Sequence, residues 1–396
     1  MKVLHTSDWH LGQNFMGKSR EDEHQAFLSW LLETIVNQNI DILIVAGDIF
    51  DTGTPPNYAL ELYYNFLRQL ASIDTLSTTI ITAGNHDSIS TLKAPKQLLE
   101  VLKVQVIASG DVDENEIIPI YIEEELRAIV CAVPYLSDRV IRQSVSGQTI
   151  SEKEKVSNEG IKAYYENTYK KALELKGEKN IPIIATGHLT TVGSRSCDSE
   201  REIYIGGTID IGGDYLAAMF DYVALGHLHI NQTVGNDHVR YSGSPIPLSF
   251  SESKNTQKIN IVSFDNDDVQ VEELEVPVKR NLIVIKGHCE SIKKDLKNIS
   301  DKTAWIEVHI NDDNPMSANQ DIRELASKLE LLLLAVKIDK SEKQLQSKQM
   351  KAISLDELSI QEVFEKRLDL EELQDKELKE ELLNNFKQVL SKVQSL

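Results

Sequence analysis

Five short apolar runs, each ended at once by side chains that bind metals, limit what this chain can become. The first begins at the second residue and stops at Ser7-Asp8-Trp9-His10. Ile42-Leu43-Ile44-Val45-Ala46 stops at Gly47-Asp48, and Thr79-Ile80-Ile81-Thr82-Ala83 at Gly84-Asn85-His86-Asp87. Ile181-Pro182-Ile183-Ile184-Ala185-Thr186 stops at Gly187-His188, and Tyr222-Val223-Ala224-Leu225 at Gly226-His227-Leu228-His229. Short apolar runs flanked by Gly read as buried strands. Gly lets the chain turn sharply and approach a ligand. Functional groups of open sheets collect beyond the strands' carboxyl ends. In extended chain, residues i and i+2 face the same way, so Asp8 and His10 are expected to aim at one point. One Asp-x-His pair is often only a turn; five such ends in one chain are not.

Seven side chains qualify as ligands: Asp8, His10, Asp48, Asn85, His188, His227 and His229. One ion rarely takes more than six, so two divalent ions are expected. A carboxylate can bridge ions ~3.5–4 Å apart, and such a pair activates water and clamps an in-line displacement at phosphorus. Asp48, from a central strand, is the expected bridge. Adjacent residues cannot easily face one ion, so Asn85 is assigned to metal. His86 is then left as general acid or as a stabiliser of the phosphoryl charge. A carboxylate usually fixes such an imidazole; Asp51 and Asp87 are both candidates.

The 396 residues suffice for two or three domains, and 41% hydrophobic with 26% charged content is that of a globular protein. No run approaches the ~20 apolar residues of a membrane span, and no signal segment is read at the start. Cys131, Cys197 and Cys289 lack disulfide or metal spacing. A cytoplasmic protein is therefore expected. A net charge of −20 argues against a simple basic DNA-binding surface. It leaves phosphate chemistry open, because bound divalent ions reverse the local field.

Helices are expected over 21–39, 57–70 (capped by Asn57), 91–102 and 161–176, with 144–160 a surface loop. Tyr164, Tyr165, Tyr169, Ala172 and Leu173 are placed on the inner face of the fourth. The strands after His229 suggest a second, mostly antiparallel sheet. The expected fold class is α/β: a two-sheet sandwich over 1–276 flanked by helices, a small βαβαβ cap at 277–338, and C-terminal helices. His288 and His309 in the cap read as surface histidines. Residues 339–353 read as a linker, rich in Lys, Gln and Ser. Residues 354–396 read as a docking element. Ser359-Ile360-Gln361-Glu362 fits a capping box, and Leu378, Leu382, Phe386, Val389 and Val393 form an apolar stripe suited to a partner groove.

Asp8-x-His10, Gly47-Asp48-x-x-Asp51, Gly84-Asn85-His86-Asp87, Gly187-His188 and Gly226-His227-x-His229 resemble, in order, the motifs of calcineurin-like metallophosphoesterases. The wording around them is similar to the SbcD nuclease subunits of that family. It is carried by residues 6–12, 185–190, 226–229, 241–250 and Ser354-Leu355-Asp356-Glu357-Leu358. The resemblance covers nearly the whole chain; a lesser departure is Ile360, where similar chains often have Pro. It implies a manganese-dependent exonuclease and endonuclease acting on double-stranded DNA ends and hairpins with an SbcC ATPase, in repair and recombination at the nucleoid. It also implies Asp8, His10, Asp48 and His229 on one ion, and Asp48, Asn85, His188 and His227 on the other. The C-terminal helices then resemble the SbcC docking element, and the helices after Asn57 and Thr91 a homodimer surface. A phosphoesterase for small-molecule or protein phosphoesters needs the same cluster but neither cap nor docking helices. A non-catalytic scaffold would need no full ligand set.

Overall fold

Every residue of the strand Ile42–Ala46 is buried, because both of its faces are covered. Ile42 and Ile44 join Val3, Ile80 and Val262 against Ala128, Val130, Ile184 and Ala224 of a second sheet. Leu43 and Val45 face Phe27, Leu31, Phe66 and Leu67 of the helices Glu21–Asn37 and Asn57–Leu70. Such two-sided burial produces a continuous apolar run instead of an alternating one. The structure is a computed structural model. It describes residues 1–110, 115–141, 150–197, 199–200, 211–265, 268–312, 314–338 and 386, with the backbone alone for 138–139 and 150–155.

The first sheet has the strand order Asp268–Glu275, Lys258–Asp265, Lys2–Thr6, Ile42–Ala46, Thr78–Thr82, Val104–Ile107. The last four are parallel, and Lys258–Asp265 adds antiparallel to Lys2–Thr6. The second sheet runs Gln232–Val234, Asn236–Tyr241, Tyr222–Gly226, Ile183–His188, Glu125–Cys131, Ile117–Ile122. The strands after His229 therefore do not form a separate antiparallel sheet. They divide between both sheets, and Asn236–Tyr241 pairs parallel with Tyr222–Gly226. Alternation along a strand marks its faces but not its neighbour.

Other expectations are corrected too. The expected helix 91–102 is two short helices, Ile89–Lys93 and Lys96–Val101. Pro95 separates them, since it lacks the N–H that would continue the ladder. The expected loop 144–160 gives way at 150 to the helix Ile150–Lys176; Glu- and Lys-rich sequence is also good helix sequence. In that helix Tyr165 and Ala172 are buried, whereas Leu173 is exposed. Pro56, not Asn57, occupies the cap position of Asn57–Leu70. Among the described residues no helix is long and apolar enough to cross a membrane.

The cap carries a three-stranded parallel sheet, Leu282–Gly287, Trp305–Ile310 and Leu332–Ile338. The helices Cys289–Lys297 and Pro315–Lys328 cover one face through Ile292, Leu296, Ile322 and Ala326. Leu282 and Trp305 seat on Phe15 and Phe250 of the sandwich. The Trp305 and Phe15 rings stack with centroids 5.1 Å apart. Buried Arg20 lies 5.4 Å from the Trp305 ring and 5.2 Å from that of Phe15. It donates to Glu23 at 3.0 Å and to the Pro247 carbonyl at 2.6 Å. Arg280 donates to the same Glu23 at 3.2 Å and stands 4.7 Å from Trp305. Trp305→Ala should empty this seat at a cost of ~3–5 kcal/mol. Hydrogen exchange should then rise across 282–338 while 42–46 stays protected; unchanged protection in the cap would show that Trp305 does not hold it.

Candidate metal centre

The parallel strands of both sheets end at the same edge of the sandwich, and the turns beyond them are laced together. Asp8 N donates to Gly47 O at 3.0 Å and His10 N to Asp48 O at 3.0 Å. His227 N donates to Asp8 Oδ1 at 2.9 Å, which ties the second sheet to the first. Asp8 and His10 do not reach the site as extended chain. The strand ends at Thr6, and both residues have left-handed backbone, with φ of 53° and 46°. Asp48 (φ 50°) and His227 (φ 97°) do the same. Such residues cost on the order of 1–3 kcal/mol each and cluster at functional sites. Trp9, between Asp8 and His10, points the other way into the core, edge-on to Phe27 and Phe66 at 5.8 and 5.4 Å. Gly84 has no side chain because a Cβ there would strike the Asp48 carboxylate.

All seven expected ligands converge. Donor atoms of Asp8, His10 and His229 lie within 4.8 Å of one another, as do those of Asp8, Asp48 and His188, and of His10, Asp48 and His86. Asp48 Oδ2 stands 3.6 Å from His10 Nε2 and 3.3 Å from His188 Nε2. Asn85 Oδ1 is 3.0 Å from His188 Nε2, and the His227 ring lies 5.3 Å from that of His188. His188 Nδ1–H donates to the Ala46 carbonyl at 3.1 Å, so Nε2 is the ring nitrogen that an ion in the cluster would take.

These residues fit divalent cations. Both ring nitrogens of His10 are buried without a hydrogen-bond partner, a costly state unless an ion takes a lone pair. Burial opposes charge on His188 and His229, yet both are pushed up to about 9. At His188 Asp48 and then Asp8 outweigh burial; at His229 the neighbouring Glu252 carboxylate and then Asp8 do so. Positive charge is favoured at these two positions, whereas burial first and then His188 hold His227 well below the ordinary imidazole range.

His86 Nδ1 lies 2.7 Å from the main-chain carbonyl of Asp51, which accepts its N–H. The Asp51 carboxylate stands 3.4 Å from His10 Nδ1. The Asp87 carboxylate accepts from the N–H groups of Ile49, Phe50 and Gly84 at 3.1, 3.0 and 2.8 Å, binding one ligand loop to the next.

Residues 1–231 match the family model described as calcineurin-like phosphoesterase, more than half of the chain. Residues 278–372 match the type 5 capsule protein repressor C-terminal domain. The SbcD subunit of the SbcCD nuclease of Escherichia coli (strain K12) is 42% identical across 94% of each chain. Its counterpart in Rhodobacter capsulatus is 37% identical across 64% of each. The Bacillus subtilis counterpart is 32% identical across 78% of this chain and 79% of its own. The chain belongs to the SbcD nuclease subunits of the calcineurin-like phosphoesterase family.

Around the SbcD-type cluster lie residues that sequence reasoning missed. Ser7 donates to Asp8 Oδ2 and bonds Ser242 at 2.7 Å. Ser199 sits 2.8 Å from His229 Nδ1, and Glu200 accepts from His229 N at 2.7 Å. Glu252 is fully buried 3.6 Å from His229 Nδ1. The only signal for Glu252 is its place just after residues 241–250, whose wording carries part of the SbcD resemblance. Within a Ser-rich stretch it otherwise reads as a surface acid.

Proposed function

We propose that this chain is the catalytic subunit of an SbcCD-type assembly, a two-metal DNA phosphodiesterase working with an SbcC-type ATPase. The observation that carries the reading is Asp48 Oδ2 set between His10 and His188, within seven donors from five strand ends. Asp8, His10, Asp48 and His229 would hold one ion, and Asp48, Asn85, His188 and His227 the other, with manganese the proposed metal. When bound, such a pair supplies an activated water and charge stabilisation at phosphorus. The protein holds its ligands in strained turns and keeps His86 pinned through Nδ1–H to the Asp51 carbonyl, so that the doubly protonated ring would give its Nε2 proton to the leaving oxygen.

The substrates would be double-stranded ends, cut exonucleolytically, and single strands and hairpins, cut endonucleolytically. The partner would supply most DNA contacts, in keeping with the net charge of −20. The proposed organisation is a nuclease domain at 1–276, a cap at 277–338, a linker at 339–353 and a docking element at 354–396. Exposed Tyr64, Ile89, Leu98 and Val101 support a homodimer surface on the helices from 57 to 101. A cytoplasmic location follows from that substrate.

The test is cleavage of a labelled hairpin duplex with manganese, with and without the ATPase. Hydrolysis of small phosphoesters but of no DNA under either condition would overturn the reading in favour of a general phosphoesterase.

The proposed linker and, Phe386 apart, the whole docking element lie outside the described residues, so the docking role rests on sequence. Residues 359–393 carry more apolar positions than exposed helices need. Deleting 354–396 should leave the metal site and single-strand cleavage intact while abolishing co-purification with the ATPase. A truncated chain that retains the ATPase with undiminished affinity would place the docking surface elsewhere.

A further inference from the structure

Glu252 is a buried carboxylate that the chemistry above does not use. It ends the 3-10 turn Phe250–Glu252, whose first residue packs edge-on to Phe15 beneath the cap, at 5.2 Å. Its Oε1 accepts from Ser199 Oγ at 2.6 Å and Ser249 Oγ at 3.2 Å. Its Oε2 accepts from Leu248 N at 3.1 Å and Ser244 Oγ at 3.3 Å. Ser199 Oγ also lies 2.8 Å from His229 Nδ1. A serine hydroxyl has one proton, and an ionised carboxylate can only accept. The Ser199 proton therefore goes to Glu252, and the Ser199 oxygen accepts from His229 Nδ1–H. That leaves Nε2 as the ring nitrogen that would meet an ion in the cluster with Asp8 and His10.

We propose that Ser199 and Glu252 are positioning residues, a hydroxyl–carboxylate relay that fixes the tautomer and ring direction of His229 toward its metal ion. A metal-binding imidazole commonly donates its second N–H to such a partner. His188 meets the same need with the Ala46 main chain, which no substitution removes. His229 meets it with two side chains, so this half of the centre is the one a point change can loosen. Glu200 holds the His229 main chain independently, so the ring alone depends on the relay.

The proposal rests on the two-ion reading, and its test separates the two. Manganese binding to the full chain is followed by equilibrium dialysis with elemental analysis for wild type, Ser199→Ala, Ser199→Thr, Glu252→Gln and His229→Ala. Ser199→Ala and Glu252→Gln should each weaken one ion by ~10–100-fold and leave the other at wild-type affinity. Ser199→Thr keeps the hydroxyl and should restore the lost affinity. A purely structural role would instead lower the melting temperature of the metal-free Ser199→Ala chain and weaken both ions together, which would overturn the relay. So would two ions held at wild-type affinity in both variants while His229→Ala loses one. A wild type that binds one ion, kept by His229→Ala, would overturn the two-ion reading and the relay with it.

Discussion

Asp48→Ala should abolish phosphodiester cleavage while leaving a folded chain that no longer retains two ions. Both oxygens of this carboxylate are in use. Oδ1 accepts from His86 N at 2.8 Å, and Oδ2 faces His10 and His188. If Asp48 is the donor the two proposed ions share, its loss would leave the two halves of the ligand set unlinked and remove the water activation and charge stabilisation that such a pair would supply. The fold should survive because Asp48 lies outside the apolar clusters and belongs to an acidic site. Burial first, and also the negative charge of Asp48, disfavours ionisation of Asp8. Against its own burial, Asp48 is nevertheless held ionised by His188 and His10, and it raises His188 in return, so the metal-free variant should melt below the metal-free wild type while still folding. Adding manganese at a hundredfold excess over Kd should stabilise the wild type by ~2.7 kcal/mol for each ion bound, and the variant by less. Elemental analysis and paired melting curves read both effects. Two tightly held ions in the variant would remove Asp48 from the bridging position.

Much of that site is legible because the strands carrying it are buried on both faces. Continuous apolar runs with abrupt Gly-Asp and Gly-His ends are what such strands look like in sequence. The left-handed turns are not legible. The i, i+2 spacing aims Asp8 and His10 together as extended chain, yet they point together through two left-handed residues. The outcome agrees and the geometry does not. Roles that depend on main chain are also hidden: the sequence offers Asp51 for its carboxylate, yet its carbonyl meets His86. Ser199 and Glu252 lie 53 residues apart and meet only in the fold. Pairing partners escape for the same reason, since nothing local tells Asn236–Tyr241 to lie parallel beside Tyr222–Gly226. The helix from 150 fails differently: a polar segment reads as loop, although a helix can be polar where it faces water.

His86→Ala should retain metal and DNA binding and lose ~10²–10⁴ in the rate of cleavage. The variant is selective because His86 serves the centre twice, by separable atoms. Its main-chain N–H donates to Asp48 Oδ1, and alanine keeps that bond, so the bridging carboxylate stays where it is. Its ring donates Nδ1–H to the Asp51 carbonyl and stands edge-on to His10 at 4.8 Å. Only this ring is lost, and with it the proton that His86 is proposed to give the departing oxygen. The loss should fall on kcat with little change in KM, because the contact matters as charge develops on the leaving group. A substrate whose leaving group needs no proton, such as a nitrophenyl phosphodiester, should recover most of the rate. Near wild-type cutting of duplex ends by His86→Ala would remove His86 from the chemistry. An equal loss on both substrates would assign it to phosphoryl charge stabilisation instead of proton donation.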